Sequence, residues 1–177
     1  MTTILMILES NTFQQDLQDI LTSLLEQADK TLYLSLYNNP EHMLENNLKP
    51  ALGEEKTQAF HAIDATTNKK SENPKIAFVG GDASLTQIKI EITEQTNNIN
   101  PKYFVFDGLG AIIPRREQPE EFIKDVINQL NNQKINTIIL VNNSKYDEPL
   151  TKVVEQMADQ TIFYEKLKKQ RYSQWNT

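Results

Sequence analysis

The sequence predicts an α/β protein whose mainly parallel, doubly wound sheet carries helices on both faces. Three observations support this fold class. Several short runs are apolar at every position, which is typical of strands covered on both sides. The segments between many of them place apolar residues at helical spacing. Strand and helix patterns alternate along the chain, which favours parallel strands joined by crossover helices in a three-layer arrangement.

Seven runs of four or five residues have the strand pattern, and each is too short for a helix. Polar or glycine-containing segments such as Asn38-Asn39-Pro40 and Gly80-Gly81 end them. The predicted strands are residues 4–8, 32–36, 59–63, 76–79, 103–106, 137–141 and 161–164.

The predicted helices have an apolar face and recognisable ends. Asn11 or Thr12 caps the first helix, and Pro50 ends the second. Asp82 and Ser84 offer caps to the third helix; the Gly80-Gly81-Asp82 turn there is either an anion-binding turn or, as we favour, a helix cap. The helical segments are 13–25, 41–48, the stretch carrying Leu85, Ile88 and Ile92, 119–131 and 148–158.

The composition limits the classes of protein that fit. The 177 residues are typical of one domain, which we place at residues 1–165, followed by a basic and aromatic tail at 166–177. Because the chain has no cysteine and only two histidines, we expect neither disulfides nor a resident metal cluster. No apolar run approaches the ~20 residues of a membrane span, so we expect a cytoplasmic protein with no membrane partner. The net charge of −6 does not favour general binding to nucleic acid.

Four segments, which follow one another along the chain in the family's order, resemble the RecA-like ATPase superfamily and most of all its KaiC-like branch. One resembles the Walker B strand, in which an apolar run ends in Asp107. The others are similar to the family's second strand, to the helix before Walker B, and to a late Ala-Asp element. The four segments are 103–110, 31–36, 82–94 and 157–162. The resemblance implies a RecA-like fold.

Two departures from the family pattern bear on activity. A phosphate-binding loop needs glycines, so that backbone N–H groups can wrap the phosphates, and a lysine. The segment 9–16 has neither, which predicts a degenerate Walker A motif. Where the family places a catalytic Glu after the second strand, this chain has Tyr37-Asn38-Asn39, and Asn cannot take a proton from water. The resemblance with these losses implies a pseudo-ATPase rather than an enzyme.

After these losses, the resemblance implies four candidate nucleotide-binding residues, which follow or end predicted strands: Ser10, Thr12, Asp107 and Asn142. Asp107 either retains Mg²⁺ or caps the loop after its strand, and we favour the cap because Mg²⁺ usually shares substrate phosphates. We therefore expect no cofactor, with weak ATP and Mg²⁺ binding as the alternative.

Two basic segments are candidate partner-binding sites. Arg115 and Arg116 follow the Walker B-like strand, where related ring-forming ATPases place arginines near a neighbour. In the tail, Lys168, Arg171 and Trp175 combine positive charge with an aromatic ring. The leading hypothesis is an inactive domain that regulates or binds another protein or a copy of itself. The alternatives are a nucleotide sensor that does not hydrolyse its ligand and a domain that binds nucleic acid through the tail.

Overall fold

A computed structural model of the chain describes residues 1–27, 29–112, 118–145 and 148–165. Its strands are β1 (Thr3–Leu8), β2 (Thr31–Ser35), β3 (Phe60–Asp64), β4 (Ile76–Phe78), β5 (Tyr103–Asp107), β6 (Asn136–Asn142) and β7 (Gln160–Phe163). They form one sheet in the order β4-β3-β2-β5-β6-β1-β7, and every neighbouring pair is parallel. The predicted three-layer α/β fold is confirmed.

The connections between strands are largely helical. The helices are α1 (Phe13–Leu25), α2 (Pro40–Met43), α3 (Lys49–Thr57), α4 (Leu85–Ile99), α5 (Pro119–Asn132) and α6 (Pro149–Met157). A π-helical turn, Leu44–Leu48, joins α2 to α3, and single 3₁₀ turns follow β5 and β6 at Leu109–Ala111 and Asn143–Lys145. In the described part of the chain, every helix is too short or too polar to cross a bilayer.

Two hydrophobic clusters, one on each face of the sheet, form the core. On one face, apolar residues of α4, α5 and α6 pack on side chains such as Leu34 and Phe106. On the other face, α1 and the α2–π segment pack on Tyr33 and Val105. Neighbouring residues of a strand therefore supply opposite clusters, as the pleat of a strand requires. This two-sided burial explains why the strands are apolar at successive positions.

The expected end of the second helix at Pro50 is wrong. Helical backbone continues from Pro40 past Pro50, because the π-helical turn intervenes and α3 starts again at Lys49. Gly53, with a φ of +80° and a ψ of 168°, then kinks α3 before its last residues. The Lys49 N–H bonds to the Leu44 carbonyl, the longer spacing of a π-turn. Pro50 then lies in the first turn of α3, where a missing N–H has no cost.

Two expected helix caps also differ. Ser84, rather than Asp82, is the N-cap of α4, and it forms a reciprocal capping box with Gln87. Thr12 precedes α1, but its side chain makes no capping hydrogen bond. Its hydroxyl instead donates to Asp16 Oδ2 at 2.9 Å, one turn further along the chain.

Two isoleucines on α4 test the packing of this layer. Ile88 is fully buried, whereas Ile90 is 54% exposed. We expect Ile88→Ala to lower the free energy of unfolding by about 2–5 kcal/mol, because it leaves a cavity in the core. Ile90→Ala on the same helix should change it by less than about 0.5 kcal/mol. Urea unfolding of both variants measures the difference, and equal effects would contradict this packing.

Candidate functional site at the carboxyl edge of the sheet

All the strands run in the same direction, so their carboxyl ends meet at one edge. A cavity of about 210 Å³ opens there, beside the ends of β5 and β6. We call it the carboxyl-edge cavity. Its lining combines the start of α1, the residues after β2, the β5 and β6 ends and the start of α6. In an open parallel sheet, ligands bind in this kind of crevice.

Asp107, the last residue of β5, lines the cavity and is completely buried. Its Oδ2 accepts two hydrogen bonds, from the Tyr33 hydroxyl at 2.7 Å and from the Asn38 amide at 2.6 Å. The parallel register pairs Ser35 with Asp107 and therefore places Tyr33 and Asp107 on one face of the sheet. Asp107 Oδ1 has no hydrogen-bond partner among the described residues.

Ser35 completes this network below the cavity. Its hydroxyl donates to the Asn38 carbonyl and accepts from the Asn38 N–H at 3.0 Å, which folds the chain back directly after β2. Asn38 Oδ1 in turn accepts from Gln14 at 2.5 Å, which ties the turn to the start of α1. The Asn38 side chain is thus oriented from both sides.

Burial dominates the pKa shifts of Tyr33 and Asp107. Burial, and then the nearby Asp107 carboxylate, raise the pKa of Tyr33 well above its ordinary value, so the phenol keeps its proton and stays a donor. Burial also raises the pKa of Asp107, while the hydrogen bonds from Tyr33 and Asn38 act in the opposite direction.

The end of β6 supplies a second polar group. Asn142 lines the cavity, and its Oδ1 accepts from the Ser10 hydroxyl at 2.5 Å. The same oxygen accepts from the Ser144 N–H at 3.0 Å and the Ser144 hydroxyl at 2.8 Å. These three donors hold the Asn142 amide in place and occupy its acceptor oxygen.

The connection between β1 and α1 is short. It consists of residues 9–12, which we call the β1–α1 turn, and the Thr12 N–H bonds back to the Glu9 carbonyl at 3.3 Å. Glu9 Oε1 accepts from Asn143 at 3.3 Å. The turn is thus closed on itself and held against the 3₁₀ turn after β6.

The described lining of the cavity contains two carboxyl groups. Among the described residues of the lining, Asp107 and Glu148 carry carboxyl groups, and none is a lysine, an arginine or a histidine. Apolar groups, including Phe13, Leu109 and Leu150, form much of the remaining wall. Tyr37 stands at the rim and is 61% exposed. The described wall therefore combines two carboxyl groups with apolar side chains.

The candidate nucleotide-binding residues are only partly brought together. Asp107 and Asn142 line one cavity, and Ser10 bonds to Asn142. Thr12 is not part of the lining, and its hydroxyl is directed to Asp16. The candidate partner-binding residues lie outside the described residues: Arg115, Arg116, Lys168, Arg171 and Trp175.

Several residues of this site escaped the sequence analysis. Tyr33, Gln14 and Glu148 belong to different elements, and none forms a recognisable motif. A polar ring at an inward position of an otherwise aliphatic strand is the one signal that could have identified Tyr33. Within the described residues, no group of three or more potential metal-binding side chains occurs.

Comparison with known proteins defines the class of fold. No protein-family model matches the sequence, and no curated protein matches it. Among solved structures, the chain is similar to a KaiC-like protein from the hyperthermophilic archaeon Pyrococcus horikoshii, with a TM-score of 0.64. The two are 17% identical over 90% of this chain and 69% of the other. The chain therefore has a KaiC-like, RecA-like fold, as its sequence resemblance predicted; function does not follow from fold alone.

Gly108 tests how tightly the chain turns beside Asp107. It has a φ of +103°, and a Cβ there would lie 2.7 Å from Leu36 Cβ. We expect Gly108→Ala to lower the free energy of unfolding by more than about 1 kcal/mol, because it combines backbone strain with a collision. At Gly110 a Cβ would meet the Tyr37 hydroxyl at 3.2 Å and Glu148 Oε2 at 4.0 Å, both at the ends of side chains, so Gly110→Ala is the control and should cost less. Thermal unfolding compares them, and equal losses would argue against this geometry.

The raised pKa of Asp107 predicts a pH dependence of stability. Between the pKa of the unfolded chain, about 4, and the higher folded pKa, the folded state binds more protons. The contribution of Asp107 to stability therefore falls as the pH rises through this window. Asn cannot ionise, and its oxygen can accept both hydrogen bonds. Relative to the native chain, Asp107→Asn should thus gain stability in urea unfolding as the pH rises above about 4. A stability difference that shrinks as the pH rises would refute this assignment.

Proposed function

We propose that this chain is a binding domain of KaiC-like fold that does not hydrolyse ATP and acts as a regulatory or protein-interaction module. The observation that carries the proposal is the β1–α1 turn. A phosphate-binding loop spans about eight residues whose glycines expose a row of backbone N–H groups. Here residues 9–12 close on themselves without a glycine or a lysine. We interpret this turn as a degenerate Walker A motif.

The residues after β2, where the family places its catalytic Glu, support the same interpretation. After β2, Asn38 donates to Asp107 and Asn39 caps α2 through bonds from the Glu41 and His42 N–H groups. Both amides are committed to structural hydrogen bonds, and neither can act as a general base. Glu41, the nearest carboxylate along the chain, lies in the first turn of α2. Activation of a water for ATP hydrolysis has no candidate residue at this position.

The carboxyl-edge cavity is also poorly suited to a nucleotide. Its volume of about 210 Å³ is below the roughly 300–1,000 Å³ of ordinary small-molecule sites. The carboxyl group of Asp107 at the end of β5 disfavours phosphates in this cavity. An acidic pocket with a partly apolar wall and an exposed tyrosine at its rim is better suited to a side chain of a protein partner.

The nucleotide-sensor alternative has one observation in its favour. The ends of β5 and β6 bring Asp107 and Asn142 to the same cavity. A ligand that bound there without reaction would use these two side chains. The nucleic-acid alternative depends on the tail beyond residue 165 and stays a prediction.

Nucleotide addition distinguishes these functions. We expect no Mg²⁺-dependent ATP hydrolysis, and no rise in melting temperature with ATP or ADP, with or without Mg²⁺, at millimolar concentration. Ligand binding to the native state would raise the melting temperature by simple linkage. A rise without turnover would favour the sensor instead. Hydrolysis that Asp107→Asn abolishes, while circular dichroism shows an intact fold, would sink the proposal.

A further inference from the structure

Lys30, His61 and Lys75 lie together at the amino edge of the sheet, and we call them the amino-edge cluster. His61 is the second residue of β3, and its strand neighbours pack on the α1 face, so its own side chain lies on the α4 face. Lys75 directly precedes β4, and its carbonyl accepts from the Ala62 N–H at 2.9 Å. Lys30 directly precedes β2, in which Leu32 is paired with His61. Strands are about 4.8 Å apart and rise about 3.3 Å per residue, so the Cα atoms of both lysines lie within roughly 9 Å of the His61 Cα.

The charges that act on His61 are both positive. Burial, followed by the ammonium groups of Lys75 and Lys30, lowers the pKa of the imidazole. The carboxylate next to Lys30 in sequence, Asp29, is paired with Lys102 at 2.6 Å instead. The cluster thus carries positive charge that its own sequence neighbour does not balance.

The carboxylates of the neighbouring helices have other partners. Glu54 of α3 acts on Lys75, but it is paired with Lys49 at 3.1 Å, and burial lowers the pKa of Lys75 in spite of it. On α4, Glu91 accepts from the Gln95 amide at 2.8 Å. Neither carboxylate is therefore dedicated to the cluster.

The three side chains keep hydrogen-bond donors that the described protein does not use. Lys30 Nζ donates to the Ile99 carbonyl at 3.3 Å. Lys75 Nζ donates to the Gln58 carbonyl at 2.8 Å and to its Oε1 at 2.5 Å. Because an ammonium has three donors, each lysine retains at least one. The partly buried His61 ring has no hydrogen-bond partner among the described residues, so carbonyls at helix ends explain part of the role of the lysines but none of the role of His61.

We propose that the amino-edge cluster is a binding site for a phosphate group, either free or carried by a small molecule, held by Lys30, His61 and Lys75. A phosphate dianion has two charges and several strong acceptor oxygens, so it can accept from three donors that approach from different strands. The net charge of −6 repels a nucleoside triphosphate or a nucleic acid more strongly than a group with two charges, which restricts the ligand to a small one. The site lies at the opposite edge of the sheet from the carboxyl-edge cavity and is independent of the proposed function.

The two histidines of the chain provide a test with an internal control. NMR of the imidazole resonances follows the titration of each ring in the full chain. Inorganic phosphate at constant ionic strength should raise the pKa of His61, because a bound anion favours the protonated ring. His42 is exposed on α2, on the other face of the sheet, and its resonance should titrate in the same way with and without phosphate.

Charge-removing variants test the lysines. Lys75→Gln and Lys30→Gln should each weaken phosphate binding about fivefold or more, because each removes a charged donor. Without phosphate, Lys75→Gln should raise the pKa of His61, because it removes a nearby positive charge. The matched control is Lys134→Gln, an exposed lysine just before β6 at the same edge and three strands from β3, which should leave the affinity unchanged.

The source of the phosphate group is distinguished by comparing inorganic phosphate with phosphoserine. Tighter binding of phosphoserine would identify a phosphorylated small molecule as the ligand, and equal or weaker binding would identify free phosphate.

Three outcomes would overturn the inference. The first is a His61 titration that is the same in phosphate as in chloride of equal ionic strength. The second is an equal loss of phosphate affinity in Lys134→Gln and Lys75→Gln, which would show general screening rather than a site. The third is a phosphate-induced shift of the Gly108 and Ser144 amide resonances without a change at His61, which would place the anion at the carboxyl edge. Failure of the proposed function is detected separately, by ATP turnover or by nucleotide-induced stabilisation.

Discussion

The pairing of β2 with β5 determines the interior of the functional edge. It places the Tyr33 hydroxyl 2.7 Å from Asp107 on the face that α1 covers. A carboxyl group in this position is stable only if donors accompany it, because an isolated buried charge is very costly. Tyr33 and Asn38 supply two donors, and the turn after β2 is folded around them by Ser35. The register of one strand pair thus shapes both the network and the cavity above it.

The network also constrains the main chain beside it. The Leu36 N–H bonds to the Asp107 carbonyl at 3.1 Å, which extends the β2–β5 pairing one residue past β2. Gly108 turns the chain with a φ of +103°, and Leu36 leaves no space for a side chain there, so both the backbone and the packing require glycine. The Tyr37 ring lies close to the same backbone and reaches the cavity rim. The exposed rim of the cavity at Tyr37 therefore lies directly against the buried backbone at Gly108.

A shared fold leaves the chemistry of this edge open. The sheet and its helices match a KaiC-like protein in overall form, yet few residues are shared at 17% identity. Function is decided by the side chains and loops at the strand ends, which change while the sheet is retained. In this chain those positions carry a short closed turn, two oriented amides and an acidic cavity. Our proposal of a binding role rests on those features.

The sequence by itself was sufficient for the fold class and for the place of each strand. Strands buried on both faces must be apolar at nearly every position, so their pattern is visible without any knowledge of their neighbours. Local signals were less decisive for the helix ends. From the sequence, Ser84 and Asp82 were both possible caps of α4. Pro50 wrongly indicated the end of the second helix, because the π-helical turn before it has no recognisable sequence pattern.

Only the tertiary structure decided which residues share the site. The sequence placed Asp107 and Asn142 at strand ends, since that position depends on local pattern alone. It did not reveal that Tyr33 and Asn38 donate to Asp107, or that Glu148 lines the same cavity, because strand order and register depend on long-range pairing. Ser10 and Asn142, 132 positions apart, meet because β1 and β6 are neighbours in the sheet. The position of a single residue at a strand end could thus be predicted from the local sequence. The grouping of these residues around one cavity depends on the whole sheet.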